Sequence, residues 1–118
     1  MLLAEDDEDV RALAELVLRR AGYDVAAVGD GEAALAAAAE RTPAVAVLDV
    51  SMPRLDGLDT ARALRERPET RSIPIMLLTA RVTDADRERG RAVGVDGQLD
   101  KPFSPAVLAE RVGALLST

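Results

Sequence analysis

Three acidic residues in a row, Glu5-Asp6-Asp7, close a short apolar run, and Asp49 closes another, Ala44 to Leu48. A lysine, Lys101, follows a third such segment and precedes Pro102. In a parallel α/β fold, residues just past the carboxyl ends of strands meet at one edge of the sheet, where such folds place their ligands. Three strand ends therefore bring several carboxylates and one ammonium to a single spot. Adjacent carboxylates repel one another, so such a cluster calls for a divalent cation, and an oxygen-only donor set suits Mg²⁺. Lys101 is also the only lysine, the other 14 of the 15 basic residues being arginine. A compact ammonium and a planar guanidinium are not interchangeable, so this position asks for a point charge.

The elements that carry these residues alternate along the chain. Met1 to Ala4 reads as a strand cut short at its amino end, which leaves room for a few preceding residues. Asp7 or Asp9 caps a helix running to about Ala21, whose stripe is Val10, Leu13, Leu16, Val17 and Arg20-Ala21, and Gly22 stops it. Asp24 to Val28 is a short strand, and Gly29-Asp30-Gly31 turns into an alanine-rich helix from Glu32 to Arg41 that ends before Pro43. Ala44 to Leu48 and Ile75 to Leu78 are apolar throughout, as strands covered on both faces should be. Between them lie a loop, Ser51 to Gly57, and a helix from Leu58 to Arg67 ended by Pro68. A polar helix spans Asp84 to Val93 and is closed by Gly94. A last strand spans Val95 to Asp100, and Ser104 caps a final helix with Pro105 at its first position. Five βα units without an internal linker predict a doubly wound five-stranded parallel sheet with five helices, in one domain over residues 1–118.

Composition excludes several kinds of chemistry. At 118 residues and 48% hydrophobic, the chain is a packed single domain, and one Phe, one Tyr and no Trp make its core aliphatic. A formal net charge of −6 argues against nucleic acid or an anionic membrane as a direct partner. Without cysteine there are no disulfides or thiolate sites, and without histidine the commonest general base must come from elsewhere. No apolar run approaches the roughly 18 residues of a membrane span, and no signal peptide is visible, so the expected location is cytoplasmic.

The acidic run Glu5-Asp6-Asp7, the segment from Asp49 to Gly57, then Thr79-Ala80, then Lys101-Pro102-Phe103 together resemble the receiver domain of two-component response regulators. Thirty residues separate Asp49 from Thr79 and 22 separate Thr79 from Lys101, and the resemblance covers essentially the whole chain. It implies a flavodoxin-like sheet of strand order 2-1-3-4-5. It implies Asp49 as phosphoacceptor, receiving a phosphoryl group from a histidine kinase or a phosphotransfer protein. Mg²⁺ is the implied cofactor, bound by Asp6 directly, by Glu5 through water, by Asp49, and by the backbone carbonyl of Ser51. Asp7 is read as a helix-start acid. Lys101 resembles the lysine that pairs with a phosphoryl oxygen, the peptide between it and Pro102 being cis in the family, and Thr79 resembles the hydroxyl that swings toward the phosphoryl group. Ser51 and Arg81 flank the phosphoryl site in the family, and Pro53, Asp56 and Gly57 shape the loop beside Asp49.

The family usually has an aromatic residue three positions before the lysine, where this chain has Gln98. A glutamine cannot fill the same volume and brings an amide that needs partners, so the output mode departs from the pattern. The charges at Asp96, Arg111 and from Asp84 to Arg91 lie where winged-helix-type regulators pair their receivers. The expectation is a monomer, or a weak dimer linked to phosphorylation. No effector domain follows Thr118, so the sequence reads as a stand-alone receiver or a piece of a longer regulator. Two other readings share part of the pattern. One is a pseudo-receiver acting as a phosphorylation-independent binding module. The other is a small Mg²⁺-dependent aspartyl-phosphate phosphohydrolase, which usually needs an aspartate where Ser51 stands.

Overall fold

The apolar residues 45–48 and 75–78 become the buried centre of the molecule, at the sheet, while Ala44 is exposed. The structure, a computed structural model, describes residues 1–79 and 84–117 apart from the side chain of Asp86. Its elements are β1 (Leu2–Ala4), α1 (Glu8–Arg20), β2 (Ala26–Val28), α2 (Gly31–Glu40), β3 (Ala46–Asp49), α3 (Gly57–Glu66), β4 (Ile75–Thr79), α4 (Asp84–Val93), β5 (Gly97–Asp100) and α5 (Pro105–Leu116). All strand pairs are parallel and the order is β2-β1-β3-β4-β5, as the family resemblance implies. Every residue of β1, β3 and β4 is buried, because helices cover both faces of the sheet.

Strand side chains alternate between those faces and so build two cores. Leu2, Ala4, Ala46, Leu48, Ile75 and Leu77 meet Ala34 and Ala38 of α2 and Leu58, Ala61 and Leu64 of α3. Leu3, Val45, Val47, Met76, Leu78 and Leu99 meet Ala14 and Leu18 of α1 and Leu108 and Val112 of α5. Asp7, Asp30, Asp56 and Ser104 cap α1, α2, α3 and α5 through side-chain oxygens that accept backbone N–H groups. Gly22 and Gly94 follow α1 and α4 at φ +100° and +79°, a conformation that ends a helix at least cost with glycine. Among the described residues no helix is long and apolar enough to cross a membrane.

The structure corrects the sequence reading at α1. The expected stripe puts Leu13 and Leu16 inward, yet they are 45% and 47% exposed, and the buried residues are Ala14 and Leu18. The segment Ala12 to Leu18 is apolar at every position but Glu15, so periodicity cannot set the phase of the helix; close packing on the sheet and α5 chooses a small residue and its i+4 neighbour. Strand limits also shift. β2 starts at Ala26, β3 at Ala46 and β5 at Gly97, each two residues later than the sequence suggests, while β3 and β4 run one residue further and end on Asp49 and Thr79 themselves. At β5 the delay has a visible cause: the Asp96 carboxylate turns to accept the Ile75 N–H at 2.8 Å and the Arg65 guanidinium at 3.0 Å.

Candidate functional site

Strand order decides which chain ends are neighbours. Ala4 of β1 pairs with Leu48 of β3, so Glu5 emerges beside Asp49; β4 and β5 then bring Thr79 and Lys101 to the same edge. Glu5 is fully buried and Asp49 is 2% exposed, whereas Asp6 reaches solvent. One carboxylate oxygen from each of Glu5, Asp6 and Asp49 lies within 4.8 Å of the other two. The Lys101 ammonium donates to Glu5 Oε1 at 2.5 Å and lies 3.2 Å from Asp49 Oδ1. Asp49 Oδ1 also accepts the Ser51 backbone N–H at 3.3 Å.

The charges do not balance. Burial pushes the Glu5 carboxyl up to about 8, contact with Asp49 pushes it the same way, and Lys101 offsets only part of this. Asp6 is raised as well, by partial burial and by Asp49. Burial alone lowers the Lys101 ammonium, but Glu5 and Asp49 outweigh it and its pKa is raised. Among the described residues Glu5 Oε2 is the one buried side-chain polar atom without a hydrogen-bond partner. An orphaned carboxylate oxygen in a crowded, oxygen-only donor set fits a hard divalent cation of the Mg²⁺ kind.

The loop after β3 is held from several sides. Asp56 Oδ1 accepts the Asp59 N–H at 2.8 Å at the start of α3. Gly57 packs so closely that a Cβ there would lie 2.3 Å from the Asp49 carbonyl oxygen. Arg54 takes φ +67°, and its guanidinium reaches Asp30 at 3.2 Å, tying the loop to the cap of α2. On the other side Arg89 of α4 reaches Asp56 and Asp59 at 3.5 and 3.4 Å.

Of the residues singled out from sequence, Glu5, Asp6, Asp49 and Lys101 converge. Ser51 follows Asp49 with an exposed side chain and contributes its backbone N–H. Asp7 stands apart, its Oδ1 accepting from Asp9 and Val10 at 2.9 and 3.1 Å. Thr79 is at the right edge, 2% exposed, with its hydroxyl directed to Asp100 Oδ1 at 3.0 Å. The Lys101-Pro102 peptide is cis. Ala80 and Arg81 lie outside the described residues. Two contacts escaped the sequence reading: Arg11 donates to the Glu5 carbonyl at 3.0 Å, and Asp100 holds Thr79. The second becomes legible once β4 and β5 are known to be neighbours, because Thr79 and Asp100 are register partners.

Comparison with known proteins agrees with this geometry. The response regulator receiver domain family matches residues 1–113. The alkaline phosphatase synthesis transcriptional regulatory protein PhoP of Bacillus subtilis is 39% identical over 116 residues, covering 98% of this chain and 48% of that protein. The chain spans about half the length of the curated relatives it matches. The solved structure of the Vibrio cholerae chemotaxis protein CheY4 superposes with a TM-score of 0.92 at 32% identity, covering 97% of this chain and 95% of that one. The receiver domain of the Pseudomonas aeruginosa sensor histidine kinase PA1611 superposes with a TM-score of 0.90 at 32% identity, covering 99% and 96%. That structure has a magnesium ion coordinated in its active-site cleft.

Proposed function

This chain belongs to the response regulator receiver domain family of two-component systems, and from that premise we propose that Asp49 is the residue that accepts the phosphoryl group. The observation that carries the proposal is the meeting of three carboxylates within 4.8 Å around Asp49, with the Lys101 ammonium 3.2 Å from Asp49 Oδ1. An Asp49 carboxylate oxygen attacks phosphorus, the P–N bond of a phosphohistidine breaks, and the imidazole leaves with that electron pair. The chain has no histidine, so the donor belongs to a group outside residues 1–118: a histidine kinase or a phosphotransfer protein.

Each neighbouring residue then has a task. Lys101, already on Asp49, follows the charge onto a phosphoryl oxygen as a point donor. Thr79 turns its hydroxyl toward the same group. Glu5, Asp6 and Asp49, with the Ser51 carbonyl, would hold Mg²⁺, which when bound neutralises phosphoryl oxygens. Later attack by water on the acyl phosphate returns Asp49 to a carboxylate. The domain is thus a phosphoacceptor that assists its own phosphorylation and dephosphorylation. Its compartment is proposed as the cytoplasm, on the ground of the family alone.

Incubation with acetyl phosphate and Mg²⁺ is expected to add the mass of one phosphoryl group. Asp49→Asn keeps the shape without the nucleophile, and is expected to abolish uptake while leaving the circular dichroism spectrum unchanged. Uptake by that variant would place the acceptor elsewhere. No uptake by the wild type would favour a phosphorylation-independent binding module.

A further inference from the structure

Thr79 ends β4 and Asp100 ends β5, side by side in parallel register, and the Lys101 N–H donates to the Thr79 carbonyl at 2.6 Å. The backbone therefore fixes the two side chains next to each other. Leu99 points into the core shared with α1 and α5, so Gln98 and Asp100 point to the opposite face, the face of Leu77 and Thr79. There the buried Thr79 hydroxyl donates to Asp100 Oδ1 at 3.0 Å. A hydroxyl has one proton to donate. While it serves Asp100 it cannot serve a phosphoryl oxygen on Asp49, and an ionised carboxylate is among the stronger acceptors available.

We propose that Asp100 is a positioning residue that acts through Thr79, holding its hydroxyl away from the phosphoryl site so that the domain switches only when this bond is given up. The proposal rests on the roles of Asp49 and Thr79 set out above. Its consequence is a lowered apparent affinity for the phosphoryl group, because binding draws on only the fraction of molecules whose Thr79 hydroxyl is free. Asp100 at the end of β5 and Lys101 just after it act oppositely: one ammonium reaches for Asp49, and one carboxylate holds back the group that would join it.

Beryllofluoride with Mg²⁺, titrated into the full chain and followed by calorimetry, tests this. Asp100 is exposed, so its replacement leaves both cores intact. Asp100→Ala is expected to bind the probe roughly three- to tenfold more tightly, the net scale of an ordinary hydrogen bond, since exposure of Asp100 to solvent weakens the charge-assisted one. Asp100→Asn keeps a neutral acceptor of the same shape and is expected to fall between wild type and Asp100→Ala. Removing a negative charge near an anion site could tighten binding by itself, so the pair is also compared in a Thr79→Val background. There Asp100→Ala is expected to tighten binding no more than the removed charge alone does, well short of its effect with the Thr79 hydroxyl present. Unaltered affinity in Asp100→Ala overturns the proposal, and so does equal tightening with and without the Thr79 hydroxyl. A wild type that takes up no beryllofluoride overturns the reading of Asp49, and this inference with it.

Discussion

The role proposed for Lys101 calls for one residue type at one position. Its side chain is 19% exposed and its ammonium is shared between a fully buried Glu5 oxygen and Asp49. In that proposed role, three rotatable donors on a flexible stem would leave Glu5 and follow a phosphoryl oxygen a short distance away. A guanidinium is wider, and its donors are fixed in a plane. Lys101→Arg is therefore expected to keep the charge and the fold but to lose the change that beryllofluoride induces. The check is amide chemical-shift perturbation beyond the site, along β5 and α5. Wild-type perturbations in the arginine variant would reduce Lys101 to a neutralising charge.

At the scale of elements, β3 carries Asp49 into place and the loop between β3 and α3 packs against its backbone. A Cβ at Gly57 would meet Asp49 backbone, which cannot swing aside as the tip of a flexible side chain can. Gly57→Ala is thus expected to cost about 1–3 kcal/mol by overpacking and to slow phosphorylation by acetyl phosphate, since the backbone that must move holds the proposed nucleophile. Urea denaturation and the rate of mass gain read the two effects separately, and a fully stable variant would show that the loop yields freely. Contacts from neighbouring helices hold the same loop, through Arg54 on Asp30 and Arg89 on Asp56 and Asp59. Arg65 of α3 makes the corresponding tie at the opposite edge of the sheet, donating to the Arg71, Ile73 and Gly94 carbonyls as well as to Asp96.

At the scale of the whole molecule, folding gathers Glu5, Asp6 and Asp49 against a single ammonium, which is unfavourable until a cation relieves it. Adding Mg²⁺ to cation-free protein is expected to raise the melting temperature, by an amount equivalent to roughly 2.7 kcal/mol at a hundredfold excess over Kd. Coincident melts with and without Mg²⁺ would remove the cation from this cluster. Association should be weak. Of the charges expected to pair receivers, Asp96 is engaged by Arg65 and the Ile75 N–H, and Arg111 donates to the Gln98 carbonyl at 3.2 Å. Exposed ion pairs contribute roughly 0–1 kcal/mol each, so pairing needs several such contacts to form together. Sedimentation should show a monomer, with at most slight dimer formation in beryllofluoride; a tight dimer there would contradict this. If an aromatic strengthens the link to that face, Gln98→Tyr will increase the response.

Much of this was legible along the chain. Acids and a lone lysine closing apolar runs indicated where Glu5, Asp6, Asp49 and Lys101 would meet, and glycine and cap residues marked most helix ends, because strand and helix signals are local. Residues far apart in sequence could not be paired that way. Periodicity put Leu13 and Leu16 of α1 inward, where packing on the sheet chose Ala14 and Leu18. Nothing local joins Thr79 to Asp100, Arg65 to Asp96, or Lys101 to Glu5, partners 21, 31 and 96 residues apart. Those contacts exist because the strand order β1-β3-β4-β5, its registers and the packing of α3 beside α4 align particular side chains. The amino-acid sequence by itself determined which groups stand at the edge of the sheet; tertiary structure alone decided which of them hold each other, because only strand order and register bring such distant residues within bonding distance.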